Sequence, residues 1–159
     1  MIFERITAAN LDEALKVASE IFPYEVKDGK LSFEDDAYRD SIKENKSDFA
    51  YFLVRHYKND VVGITGYYRE EDGTMWLGWF GVLSGHRGWN YGEKILRMTA
   101  GMVESHGWVS EFFLYTGQRQ EEHHAHRLYE RVGFVNTGEG KVEGEPVFYY
   151  RASLPLGGK

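Results

Sequence analysis

Cysteine is absent from the 159 residues and proline occurs only three times. Without cysteine there is no disulfide framework and no thiolate chemistry, which fits a reducing interior, so a cytoplasmic location is expected. No apolar run approaches the length of a membrane span. Met1-Ile2-Phe3-Glu4-Arg5 lacks the basic and apolar regions of an export signal, so no membrane partner is expected. Positive charge is also short: 19 Lys and Arg against 25 Asp and Glu leave a formal net charge of -6 at pH 7. Nucleic-acid affinity comes largely from lysine and arginine neutralising phosphates, so that class is disfavoured and no nucleic-acid partner is expected. Cationic small molecules are favoured weakly, through encounter.

What the chain does have is length for one domain, expected over residues 1–153 with a tail at 154–159, and an aromatic share of 16%, which suits a dense core or an aromatic-walled cleft. Ile2 to Ile6 reads as a first strand. Asn10 reads as a helix cap with Glu13 at the capping-box distance, and Leu11, Ala14, Leu15, Ala18 and Phe22 follow at helical spacing until Pro23. Residues 24–46 are polar, with a short helix expected at 35–43. Two β-rich runs, 49–57 and 61–68, flank a turn at Lys58-Asn59-Asp60. Residues 75–82, Met-Trp-Leu-Gly-Trp-Phe-Gly-Val, read as one buried strand after a turn at 70–73. A further strand at 111–116, a helix at 120–132 ended by Gly133, and closing strands at 134–137 and 145–152 complete the pattern.

Between the strand at 75–82 and a helix running to about His106 lies a glycine-rich turn, Ser84-Gly85-His86-Arg87-Gly88-Trp89-Asn90-Tyr91-Gly92. Ile95, Met98 and Met102, with Leu96, Thr99 and Val103, give that helix its apolar spacing. The order strand, turn, helix aims the unpaired amides of the first helical turn, and the positive end of its dipole, at an anion, typically phosphate. Arg87 adds a forked cation. No Gly-Lys-Ser/Thr follows, so this is not a Walker loop. The three-glycine dinucleotide spacing is absent too, and three antiparallel strands precede the turn.

These features together resemble the GNAT superfamily of acyl-CoA-dependent N-acyltransferases. Val82, Arg87, Asn90 and Gly92 occupy the offsets of its Arg/Gln-x-x-Gly-x-Gly/Ala motif, with Gly88 after the arginine. Ala125, Leu128, Tyr129, Gly133 and Phe134 match its Ala-x-x-Leu-Tyr-x-x-x-Gly-Phe pattern. The resemblance covers nearly the whole chain. It implies a mixed α/β fold with a central, mostly antiparallel sheet, splayed parallel strands 4 and 5, and helices on both faces. It further implies acetyl-CoA as donor and a primary amine, on a small molecule or a protein, as acceptor by direct attack in a ternary complex. Val82 and Leu83 would pair with the pantetheine arm; the amides of Arg87, Gly88, Trp89, Asn90, Tyr91 and Gly92 would hold the pyrophosphate; and Tyr129 would protonate the leaving thiolate. Two departures stand out. Asn90 replaces the usual glycine, although asparagine tolerates left-handed backbone. Glu122 replaces a frequent asparagine that contacts the arm.

Residues 75–82 hold no carboxylate to serve as general base, leaving Glu111, Glu25 and Asp72 as candidates. His123, His124 and His126 lack a converging third ligand and read as an exposed helix start, so no metal is expected. Trp76, Trp79, Tyr67, Tyr68 and Trp89 would line an acceptor cleft, or be strand-face packing and a surface tryptophan, with Trp76 and Trp79 on opposite faces by alternation. The run Glu34-Asp35-Asp36 reads as a solvated face or a lure for a cation. A catalytically silent acyl-CoA-binding module and a nucleotide-phosphate-binding protein share the same turn. The exposed edge of the closing strands would suit a homodimer.

Overall fold

In chain order the elements are β1 (Ile2–Arg5), α1 (Leu11–Ile21), α2 (Asp36–Lys43), β2 (Phe49–Arg55), β3 (Val61–Arg69), β4 (Met75–Leu77), β5 (Gly81–Val82), a 3-10 turn (Ser84–His86), α3 (Tyr91–Glu104), β6 (Glu111–Gly117), α4 (His123–Arg131), β7 (Val135–Val142) and β8 (Glu145–Ser153). The structure, a computed structural model, describes residues 1–23, 36–43, 49–56, 60–119 and 123–157. The fold is mixed α/β, and the strand pairs whose register is described are antiparallel apart from β4 with β6. Two units share the chain: Met1–Tyr68 with Gly78–Ile95, and Arg69–Leu77 with Leu96–Lys159.

In the first unit β1 pairs with β2, β2 with β3, and β3 with β5. The β2–β3 register slips by one residue, Val54 lying opposite Gly63 and Arg55 opposite Val61. Val62 is the extra residue, and a bulge of this kind changes the face to which the side chains point. Ile64 therefore packs with Ala14, Val17 and Ala18 of α1, with Ile6 and Leu53, and with Tyr38 and Tyr51. Val62 instead joins Val54 and Ile95. Tyr38 closes the first cluster: its hydroxyl proton has the carbonyls of Ile6 (2.9 Å) and Tyr51 (3.2 Å) in reach, and its oxygen accepts the Tyr51 amide (3.2 Å). Burial pushes its phenol pKa up, because the charged form would lose its hydration.

In the second unit β4 runs parallel to β6, Met75 opposite Phe112 and Trp76 opposite Phe113, while β6 pairs antiparallel with β8 and β8 with β7. Alternation along β6 buries Phe112, Leu114 and Thr116 and turns Phe113 and Tyr115 the other way. Phe112 meets Phe134 at 6.1 Å between ring centres.

Four local expectations are corrected. Residues 75–82 are two strands, because Trp79 adopts φ 49 and breaks the extended backbone. Trp79 consequently lies on neither strand face and meets Phe22 edge-on at 5.2 Å. Asn10 precedes α1 but makes no side-chain cap there. Its Oδ1 accepts the Thr7 amide (2.8 Å), and its Nδ2 donates to Glu4 (2.9 Å) and to the Arg5 carbonyl (3.0 Å). Glu13 cannot complete the box, since its carboxylate is drawn to the Arg55 guanidinium. On α3, Met98 is exposed while Ile95, Leu96, Thr99 and Val103 are buried: two adjacent stripes are wider than the face the helix buries. The closing strand β7 also extends to Val142, further than the sequence suggests.

The Tyr38 hydroxyl serves three buried backbone groups. Tyr38→Phe is expected to lower stability by about 1–3 kcal/mol, the usual cost of stranding such partners, as a reduced urea midpoint with an unchanged slope.

Candidate functional site

The glycine-rich turn is held by β3. Val82 lies opposite Gly63, and the Leu83 amide donates to the Val62 carbonyl at 2.8 Å. Glycine is required on both sides of this crossing: a Cβ on Gly63 would overlap the Gly81 carbonyl, and one on Gly81 would overlap Ile21. Beyond Leu83 the chain makes one 3-10 turn, and Arg87 is extended with φ -74 and ψ 156. Gly88 then takes φ 88 and Asn90 φ 60, so left-handed residues alternate with Trp89 and the helical Tyr91. Alternation of hand turns successive N–H groups toward one side, and such a nest gathers an anion. Residues 87–90 are exposed, and α3 starts one residue later, adding amides that have no preceding helical carbonyl to pair with. The Asn90 carbonyl accepts the Lys94 amide at 3.2 Å, closing the first turn. Asparagine at position 90 is thus chemically matched to its backbone.

Arg87 does not simply project into solvent. Its Nε donates to the Val82 carbonyl at 3.2 Å, across the mouth of the turn. The carbonyl expected to receive the pantetheine arm is therefore held by an exposed, exchangeable side chain. Below α3, the Tyr91 ring meets the imidazoles of His56 (6.3 Å) and His86 (6.2 Å). With Asp60 and Trp89 these residues line a cavity of about 270 Å³. His56 and Asp60 were not legible as neighbours of the turn, because only the pairing of β2 with β3 and of β3 with β5 brings them to it.

Tyr129 belongs to the second unit. It is buried on α4, with its ring 6.0 Å from Phe134 and 5.8 Å from Tyr150. Gly133 follows the helix at φ 111, a left-handed stop suited to glycine, and the Phe134 amide returns to the Tyr129 carbonyl at 2.9 Å. The late motif thus sets Tyr129 and Phe134 against each other, while Ala125 and Leu128 lie half-buried on the same helix.

His126 corrects the expectation of an exposed histidine cluster. It is buried, with Nε2 2.9 Å from the Gly117 carbonyl and its ring edge-on to Phe148 at 5.5 Å. A carbonyl only accepts, so Nε2 carries the proton. His123 and His124 are exposed. Among the described residues no group of three or more His, Asp or Glu side chains is placed to hold a metal ion, and no helix is long and apolar enough to cross a membrane.

Of the base candidates, Glu111 faces Arg151 at 3.4 Å. Asp72 is exposed in its turn, where hydrogen bonds from the Thr74 hydroxyl and amide hold its carboxyl below the usual carboxylate range. Glu25, Glu122, Glu34 and Asp35 lie outside the described residues. Tyr67 is buried in the first unit, and Trp89 is 70% exposed beside the turn.

A family model described as the acetyltransferase (GNAT) family matches residues 12–134. No curated protein sequence matches the chain. Among solved structures the chain is similar to a GNAT-family acetyltransferase from Staphylococcus aureus, with 17% identity over 96% of this chain and 98% of that one and a TM-score of 0.72. It is similar to a spermidine N-acetyltransferase from Vibrio cholerae in complex with CoA and spermine, with 14% identity over 96% and 94% of the two chains and a TM-score of 0.71. An IAA acetyltransferase from Bacillus cereus shows 16% identity over 96% and 99% of the chains and a TM-score of 0.65. At such identities the structural likeness speaks for the fold alone.

The left-handed backbone at position 90 yields a direct expectation. Asn90→Gly should leave the affinity for acetyl-CoA within about 3-fold, whereas Asn90→Val, strained at positive φ by roughly 1–3 kcal/mol, should weaken it by about 5- to 150-fold in calorimetric titration.

Proposed function

Because the chain belongs to the GNAT acetyltransferase family, and is thereby an acyl-CoA-dependent N-acyltransferase, we propose that it transfers the acetyl group of acetyl-CoA to a primary amine by direct attack. The observation that carries the donor half of this reading is the turn itself. Left-handed residues at 88 and 90, the start of a 14-residue helix and the Arg87 side chain fall within one short stretch, which supports neutralisation of a pyrophosphate there. Arg87 would exchange the Val82 carbonyl for a phosphate oxygen, a charge-assisted bond replacing a neutral acceptor. That exchange frees the Val82 carbonyl for an amide of the pantetheine arm.

In the chemical step the neutral amine nitrogen attacks the thioester carbonyl carbon, the C–S bond breaks, the thiolate takes the Tyr129 hydroxyl proton, and the proton shed by the new amide nitrogen returns through water to the tyrosinate. The amine must arrive uncharged or lose its proton on the way, through water or a carboxylate. The acceptor is an amine of a small molecule or a protein. The net charge of -6 and the polyamine named for the Vibrio cholerae relative both support a cationic small molecule. The reading takes residues 1–153 as one catalytic domain acting in the cytoplasm, with a homodimer as its assembly.

Thiol release from acetyl-CoA, followed across a panel of amines, tests this directly. Turnover that depends on the amine is expected. Slow hydrolysis indifferent to every amine would support the silent acyl-CoA-binding module instead, a reading to which the lack of a carboxylate on β4 and β5 lends weight. Tyr129→Phe is expected to lower kcat by about 10²- to 10⁴-fold, the usual worth of a positioned acid, with acetyl-CoA affinity and melting temperature little changed. Full turnover in that variant would leave Tyr129 a packing residue.

A further inference from the structure

The face of the second-unit strands opposite Phe112 and Leu114 is aromatic. Tyr115 on β6 lies directly across from Tyr149 on β8, and Trp76 on β4 lies across from Phe113, two residues before Tyr115 on the same face. The ring centres of Trp76, Tyr115 and Tyr149 form a near-equilateral triangle: 6.4 Å from Trp76 to Tyr115, 6.2 Å from Trp76 to Tyr149, and 6.5 Å from Tyr115 to Tyr149. The rings are mutually inclined by 57°, 82° and 62°, so no two of them stack.

Trp76 is fixed in this arrangement from two sides. Phe113 stacks on it at 5.4 Å and 27°. Its indole Nε1 donates to the Thr74 hydroxyl at 2.8 Å, and that hydroxyl donates to the Asp72 carboxylate, which is ionised at neutral pH. Tyr115 is 41% exposed, while Trp76 and Tyr149 are half-buried, so the trio reaches solvent. The Arg151 cation on this face is matched to Glu111 at 3.4 Å.

We propose that Trp76, Tyr115 and Tyr149 form a seat for an alkylammonium group of the acceptor. The centre of such a triangle lies about 3.7 Å from each ring centre, and a cation raised about 2.5 Å above it stays within about 4.5 Å of all three, inside the range of cation–π attraction. Charge complementarity with a chain of formal charge -6 favours the same occupant. An aromatic seat favours the protonated nitrogen, whereas the nitrogen that is acylated must be neutral. The seated group is therefore a second, non-reacting cation, and the acceptor class is an amine carrying two or more nitrogens. This rests on the amine-acceptor reading above.

Two measurements separate the seat from that reading. Binding of choline and of its neutral isostere 3,3-dimethylbutan-1-ol, followed by NMR shifts of the Trp76 indole, tests the seat alone. Choline is expected to bind at least 5-fold tighter, with Tyr115→Leu weakening it by about 2- to 30-fold and Tyr115→Trp restoring it. Equal binding of the two probes, no binding of either, or no effect of Tyr115→Leu would overturn the seat. So would a loss of dimer mass in Tyr115→Leu with choline affinity unchanged, which would make this face a contact between copies. The second measurement compares 1,4-diaminobutane with butylamine as acceptors. Tyr115→Leu is expected to raise KM for the diamine by the same factor while moving KM for the monoamine by less than 2-fold. A parallel rise for both would overturn the assignment to the acceptor. Choline binding without any acyl transfer would instead retire the amine-acceptor reading and leave the cation seat standing.

Discussion

The break at Trp79 is the constraint on which the arrangement of the chain depends. A bulky residue held at φ 49 costs roughly 1–2 kcal/mol, because its Cβ crowds the carbonyl that follows. Neighbouring contacts offset that cost: the indole packs edge-on against Phe22, and the Gly78 amide donates to the Gly66 carbonyl at 3.0 Å. A straight strand from Met75 to Val82 would carry one ladder throughout. With the break, β4 pairs in parallel with β6, while β5 pairs antiparallel with β3 and delivers Val82 and Leu83 to the glycine-rich turn.

Charge and backbone divide the work within the turn. Fixed dipoles come from amides that Gly88 and Asn90 orient, and the mobile charge comes from Arg87, held meanwhile on the Val82 carbonyl. On the proposed reading a preorganised nest would need little rearrangement for an anion, whereas the arginine would trade one acceptor for a better one. In the second unit the equivalent economy is at Tyr129, where Gly133 lets the chain reverse and sets Phe134 against the ring.

The readable parts of the site were those in which backbone conformation leaves a chemical mark. Gly88, Asn90 and Gly133 are residue types that accept positive φ, and each has it. The late motif likewise placed Tyr129 on a buried helical face. The break at Trp79 was not legible, because an eight-residue run of apolar and aromatic side chains looks like one strand, and Gly78 and Gly81 read as boundaries or tolerated gaps. Asn10 shows a different limit. The residue suits a cap, but a carboxylate on β1 and a guanidinium on β2, close only after folding, compete for its amide and for Glu13. His126 shows a similar limit: the Gly117 carbonyl that draws its ring inward lies nine residues earlier, at the end of β6, and meets it only after folding.

The central claim is that residues 82–92 form an acyl-CoA cradle in which Arg87 supplies the charge. Calorimetric titration with acetyl-CoA, repeated with ATP and NAD as competitors and on Arg87→Ala, tests it most directly. Saturable one-to-one binding is expected, resistant to both nucleotides at equal concentration and weakened about 10-fold or more by Arg87→Ala, in line with the loss of a charge-assisted bond. Displacement of acetyl-CoA by ATP or NAD with comparable affinity, or unchanged affinity in Arg87→Ala, would contradict it.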